Sequence, residues 1–196
     1  MKDKKETYDL IVETAYKMFA ENGFDKTSLA MIAKGVGISK PAIYYYFDSK
    51  EKLIDFLFEE ICKEIMIQST ITVDDLTVNN FEQFLLNFGF KMIEEQERDV
   101  YFNKIFNEYI LLATRNDKYM TQLNKIQKSY FENFSMLMNY GVKIGVVNRD
   151  NVENKSNILV MVIDNIGNFI LTGLELDYKG TWEEAVKSVL KGVRND

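Results

Sequence analysis

With 196 residues, 46% of them hydrophobic and 13% aromatic, the chain has material for a small head and one well-buried body, and too little for two large independent domains. Histidine is absent and Cys62 is the single cysteine, which excludes an intrachain disulfide, the usual Cys/His zinc sites and the Ser-His-Asp and Cys-His nucleophile systems; no cofactor, metal or catalytic residue is expected. A formal net charge of −6 argues against nucleic acid only until it is divided: residues 1–50 carry +1, residues 51–196 carry −7, and between 26 and 50 Lys26, Lys34, Lys40 and Lys50 are opposed by Asp48 alone.

One proline in the whole chain, with abundant Leu, Ile, Lys, Glu and Met, predicts an all-α protein, with a head over 1–48 and a body over 49–196. Tyr8, Ile11, Val12, Ala15, Met18 and Phe19 recur at spacings of three and four and predict a helix over about 5–21, stopped at Asn22-Gly23. Thr27 or Ser28 then caps a second, short helix that buries Leu29, Ile32, Ala33 and Val36. After Gly35-Val36-Gly37, Ser39 caps a third, with Pro41 tolerated in its first turn. Asp48 or Ser49 opens a fourth helix, Glu51 standing behind Asp48 as in a capping box, with Leu53, Leu57, Ile61 and Ile65 as its stripe.

In the body, Phe81, Phe84, Leu85, Phe88 and Met92 mark one helix; Phe102, Ile105, Phe106, Tyr109 and Ala113 mark the next. A long helix near 118–144 turns Ile126, Tyr130, Phe134 and Met138 inward. Residues 153–174 are apolar on nearly every face, which predicts a helix buried all round. Thr181 and Glu184 form a second capping box before a last helix with Trp182, Val186, Val189, Leu190 and Val193 on one side. The longest apolar run, 158–163, falls far short of the roughly 20 residues that cross a bilayer. Together with the polar opening MKDKKETYD this gives the expectation of a cytoplasmic protein with no membrane partner.

Two short helices around a glycine turn have the layout of a DNA-reading helix-turn-helix, whose first helix braces and whose second presents side chains to the major groove. Ala33 permits close crossing, and Gly37 can take the positive φ of the turn. At about 100° per residue Ile43 faces inward, leaving Tyr44 and Tyr45 outside beside Lys40 and Lys50, all suited to phosphate oxygens or base edges. Residues 21–53, ENGFDKTSLAMIAKGVGISKPAIYYYFDSKEKL, resemble the signature of the TetR family of repressors in the N-G-F turn, Thr27-Ser28, Ile32-Ala33, Gly37-Ile38-Ser39, the 43–47 run IYYYF and the 49–53 run SKEKL. The resemblance implies that Thr27, Ser28, Lys40, Ala42, Tyr44, Tyr45 and Lys50 contact DNA, with Tyr46 touching a phosphate. Ala30 departs from relatives that place a long polar residue there, and offers only apolar contact.

The resemblance further implies an N-terminal three-helix helix-turn-helix domain and a C-terminal helical domain for effector binding and dimerisation. Pairing through the last two long helices would use Met161, Ile166, Phe169, Ile170, Trp182, Val186 and Leu190. A homodimer sets two recognition helices about 34–36 Å apart, or a multiple, so the double-stranded operator is expected to be a near-palindrome. Phe84, Phe88, Phe106, Tyr109, Tyr130, Phe134 and Met138 would line a pocket for a small apolar or aromatic effector, unless they are ordinary core. The function implied is that of a ligand-responsive repressor. The alternative is a TetR-like interaction protein whose DNA binding is weakened or lost; an enzyme ranks last, since no phosphate loop, metal cluster or nucleophile arrangement is visible.

Overall fold

The computed structural model describes residues 4–68 and 70–191, and among them the chain forms nine α-helices and no strand. They are α1 Lys4–Lys26, α2 Leu29–Val36, α3 Lys40–Ile43, α4 Lys50–Gln68, α5 Phe81–Arg98, α6 Val100–Ala113, α7 Asp117–Lys143, α8 Val152–Thr172 and α9 Tyr178–Leu190. Val193 of the expected last stripe lies outside the described residues.

The chain divides into two compact units, residues up to 65 with 101–123, and 66–100 with 124 onward. The first unit takes in α1 to α3, α4 as far as Ile65, and α6 from Tyr101. Within this unit α1 is broken at Gly23, whose φ of 80° and ψ of 166° are non-helical. Ile11, Ala15 and Phe19 of α1, Ile32 of α2, Ile43 of α3 and Leu53 of α4 are all fully buried. The rings of Phe24, Phe58, Tyr109 and Tyr119 stack into one aromatic cluster with centroid separations of 4.7–6.2 Å, a geometry in which ring pairs add to simple area burial.

In the second unit α9 packs against α5 and α8 around fully buried Phe81, Leu85, Phe134, Leu159, Ile163 and Trp182. Trp182 donates its indole N–H to the Leu85 carbonyl at 3.1 Å. It lies so close to α5 that a Cβ on Gly89 would sit 2.1 Å from the ring.

Two expectations need correcting here. The last helix opens at Tyr178, three residues before Thr181, because the Asp177 carboxylate caps it by accepting from the Gly180 N–H at 2.8 Å; Thr181 instead donates its hydroxyl to the Asp177 carbonyl. Of the two caps expected for the fourth helix, Asp48 or Ser49, Ser49 acts, its Oγ accepting from the Lys52 N–H at 3.2 Å. In addition α8 is not buried all round: Ile158, Met161 and Phe169 stand exposed along one face.

Candidate nucleic-acid interface

Caps and one left-handed glycine fix the head's surface. Ser28 Oγ accepts from the Met31 N–H at 3.3 Å and starts α2. Gly37, at φ 80° and ψ 28°, ends it, with the Gly37 N–H on the Lys34 carbonyl and the Ile38 N–H on the Ala33 carbonyl at 2.9 Å. This is the paired closure that satisfies the last helical carbonyls, and only glycine adopts its φ without a Cβ penalty. Ser39 Oγ caps α3 by accepting from the Ala42 N–H at 3.3 Å, with Pro41 in the first turn.

The recognition segment is α-helical only over Lys40–Ile43. After Ile43 the chain continues in tight turns, Tyr45 N–H to Ala42 O and Tyr46 N–H to Ile43 O. Ile43 and Phe47 hold it from beneath, both buried. Tyr44 and Tyr45 are left outside, the latter 71% exposed, with exposed Lys40 at the start of α3. Ala42 and Tyr46 are half-buried at its sides, and exposed Ala30 and Met31 extend the surface along α2. Lys40, Tyr44 and Tyr45 thus share one open surface rich in hydrogen-bond donors, the arrangement a phosphate backbone needs.

Two of the expected contacts are placed elsewhere. Thr27 is buried, its hydroxyl donated to the Gly23 carbonyl at 2.9 Å, with Met18 O as a second acceptor at 3.2 Å. The Lys50 ammonium turns inward and donates to the Phe24 carbonyl at 2.9 Å. On the other side of the same residue the Phe24 N–H donates to the Glu108 carboxylate of α6, also at 2.9 Å. Phe24 is therefore held by a cation at its C=O and an anion at its N–H, which pins the turn between α1 and α2. Tyr101 of α6 reaches Glu21 at 3.0 Å, and Tyr109 donates its buried hydroxyl to the Ile54 carbonyl of α4 at 2.8 Å. Burial first, then the neighbouring Tyr119 and Cys62, pushes the Tyr109 phenol far above its ordinary range, so it stays a neutral donor.

Sequence reasoning missed Glu108 as a positioning residue of the head and missed Lys4. The Lys4 ammonium lies 2.9 Å from the Tyr45 hydroxyl and 4.6 Å from its ring centroid. Lys4 stands one helical turn before Tyr8 on the same face, and only the structure shows that Tyr8 stacks on Phe47, just beyond Tyr46, at 5.5 Å.

The seven candidate pocket residues are divided between the two units. Tyr109 sits in the aromatic core of the first unit, where half-buried Phe106 stacks on Phe102 at 6.0 Å. In the second unit Phe84, Phe88, Tyr130 and Phe134 form a chain of ring contacts, with Tyr130 donating to Met92 Sδ at 3.3 Å; Phe134 and Met138 are fully buried core. Of the candidate pairing residues, Met161 and Phe169 are exposed on α8 while Ile170 and Leu190 are half-buried. Ile166, Trp182 and Val186 are consumed by the chain's own core, so the expected large anchors on α9 are unavailable. Beside the exposed face lies a groove of about 370 Å³ lined by Ile158, Met161, Val162, Phe169, Leu176 and Tyr178 among others.

No described helix is long and apolar enough to cross a membrane, and no cluster of potential metal ligands occurs among the described residues. Residues 11–56 match the family described as bacterial regulatory proteins, tetR family. The chain is 54% identical over 50 residues, 26% of its own length, to the uncharacterized HTH-type transcriptional regulator YuxN of Bacillus subtilis. Over 94 residues, 46% of its length, it is 34% identical to IcaR of Staphylococcus aureus, the HTH-type negative transcriptional regulator of the biofilm operon icaADBC. It spans 17% and 50% of those two relatives. Similar solved structures include the fatty acid degradation regulator FadR of Bacillus halodurans, with a TM-score of 0.72 at 20% identity over all of both chains. Another is FadR of Bacillus subtilis in complex with stearoyl-CoA, with a TM-score of 0.69 at 20% identity, covering 95% of this chain and 100% of that one. At such identity these likenesses speak for the fold.

Proposed function

We propose that this chain, whose residues 11–56 match the tetR family of bacterial regulatory proteins, is a homodimeric, ligand-responsive repressor of that family that leaves a near-palindromic operator when a small apolar or aromatic effector binds. The observation that carries the reading is the capped helix-turn-helix whose outer surface offers Lys40, Tyr44 and Tyr45 with no apolar cover. IcaR, to which the matched segment is similar, is a negative regulator, which favours repression. The ring-lined interior of α5 and α7, Phe84, Phe88, Tyr130, Phe134 and Met138, suits an apolar ligand once the bundle opens, and FadR of Bacillus subtilis holds an acyl-CoA in a similar fold. The effector acts by binding the DNA-incompetent arrangement more tightly than the competent one.

The test is selection of bound duplexes from a random pool by the full chain, followed by affinity measurements across salt concentrations and with acyl or aromatic compounds added. A recurrent near-palindrome, a steep fall of affinity with salt and release by one compound class support the proposal. A second reading, an interaction protein with weakened DNA binding, is favoured by Ala30 standing exposed where base readout is expected and by the acidic total. A flat salt dependence selects it.

A further inference from the structure

The head holds one polar contact that spans nearly the whole domain in sequence and that packing alone does not require. Lys4 in the first turn of α1 donates to the Tyr45 hydroxyl, 41 residues away, at 2.9 Å. Its placement follows from ring contacts: half-buried Tyr8, one turn further along α1, stacks on buried Phe47 at 5.5 Å and meets Phe56 edge-on at 5.7 Å, so the first turns of α1 are fixed beside the end of α3. Side chains four residues apart share a helix face, and Lys4 is thereby delivered to the exposed tip of the recognition segment. Tyr46 lies edge-on to Tyr45 at 5.5 Å and limits how far the ring can swing.

The chemistry of this pair is one-sided. A phenol oxygen that accepts from an ammonium keeps its own O–H to donate, and the ammonium keeps two further N–H donors. The hydrogen bond to Tyr45 raises the Lys4 pKa, aided by the charge interactions with Tyr45 and Tyr46, while the same bond lowers the Tyr45 pKa; Lys4 stays charged and the phenol becomes a more acidic donor. Among the described residues, the groups that raise the Lys4 pKa are the phenols of Tyr45 and Tyr46. What remains is a cluster of outward donors carrying a positive charge, which is the complement of a phosphate. Lys50 turns its ammonium inward to the Phe24 carbonyl, and Lys4 adds a cation from α1 to the one that Lys40 offers on α3.

We propose that Lys4 and Tyr45 form a composite contact for a single DNA backbone phosphate, α1 supplying the cation and the recognition segment the hydroxyl it orients. The first turn of α1 is then part of the DNA surface. This rests on the DNA-binding reading above, and the test separates the two.

The experiment measures fluorescence anisotropy of a labelled duplex recovered by wild-type selection, and of an unrelated duplex at low salt, with the full chain and with Lys4→Ala, Lys4→Arg, Tyr45→Phe and the Lys4→Ala/Tyr45→Phe double variant. Lys4→Ala is expected to weaken both duplexes by roughly three- to tenfold and to flatten the salt slope by about one unit. Tyr45→Phe, which keeps the ring, is expected to weaken binding less, Lys4→Arg to retain it, and the double variant to lose no more than Lys4→Ala. If wild type binds steeply with salt while Lys4→Ala matches it, the composite contact is wrong and the DNA reading stands. Tighter binding by Lys4→Ala would mean that Lys4 covers Tyr45, and losses that simply multiply in the double variant would mean two separate contacts; either overturns the proposal. A wild type with no salt-sensitive binding overturns both readings.

Discussion

A lysine in a DNA-binding head can serve as charge or as carpentry, and Lys40 and Lys50 divide these roles. Lys40 is exposed at the start of α3, whereas the Lys50 ammonium closes on the Phe24 carbonyl at 2.9 Å. Lys40→Ala is expected to reduce the salt dependence of DNA affinity by about one ion and to weaken specific and unrelated duplexes alike. Lys50→Met is expected to weaken binding with the salt slope unchanged, because the turn before α2 loses its tie; equal changes of slope in the two variants would return Lys50 to the phosphate backbone. Glu108 is the counterpart on the other side of Phe24. Glu108→Ala leaves a partly buried N–H without its acceptor, a loss of about 1–3 kcal/mol, which urea unfolding would register as a lowered midpoint. Glu108→Gln keeps an acceptor oxygen and is expected to recover most of it.

At the scale of elements, the head was readable because each boundary has a local cause. Ser28, Gly37, Ser39 and Ser49 act through their own neighbours within three or four residues, so spacing in the sequence is enough to find them. Asp177 was overlooked in favour of Thr181 because both precede the same apolar stripe, and only the reach of a carboxylate to the Gly180 N–H decides between them. Glu108 and Lys4 were invisible for a different reason: their partners lie 84 and 41 residues away, and no periodicity encodes that. The same holds for Gly89, an unremarkable glycine in a helical stripe until α9 is packed on it. A methyl group there would meet the Trp182 indole at 2.1 Å, where the ring is already fixed by the Leu85 carbonyl. Gly89→Ala is expected to cost about 1–3 kcal/mol through overpacking. Since Trp182 is the single tryptophan, its fluorescence reads the result directly, as a lower urea midpoint and a red-shifted emission in the folded state; an unchanged spectrum and midpoint would show that α5 and α9 separate at little cost.

For the whole molecule the question is which surface a second copy covers. The apolar residues on the open side of α8, Ile158, Met161 and Phe169, are spaced by three and then eight residues with Asn165 between, so they fall in one line along the helix. A twofold axis through such a line sets each residue against its own counterpart or a near neighbour. In the proposed homodimer, Trp182 and Val186 being committed to the subunit core, the pairing surface expected on α8 and α9 narrows to the open side of α8 and the groove beside Leu176 and Tyr178. Met161→Asp places a carboxylate from each copy near that axis, where neither hydration nor a cation is on hand. Light scattering is expected to show a dimer for the wild type and a monomer of unchanged helicity for Met161→Asp. Affinity for a palindromic duplex should then fall by roughly a hundredfold or more, because two half-site contacts no longer act as one, while affinity for an isolated half-site stays the same. A Met161→Asp protein that remains dimeric would place the interface elsewhere, and a Trp182→Ala protein that loses its fold before its partner would confirm that α9 belongs to the interior.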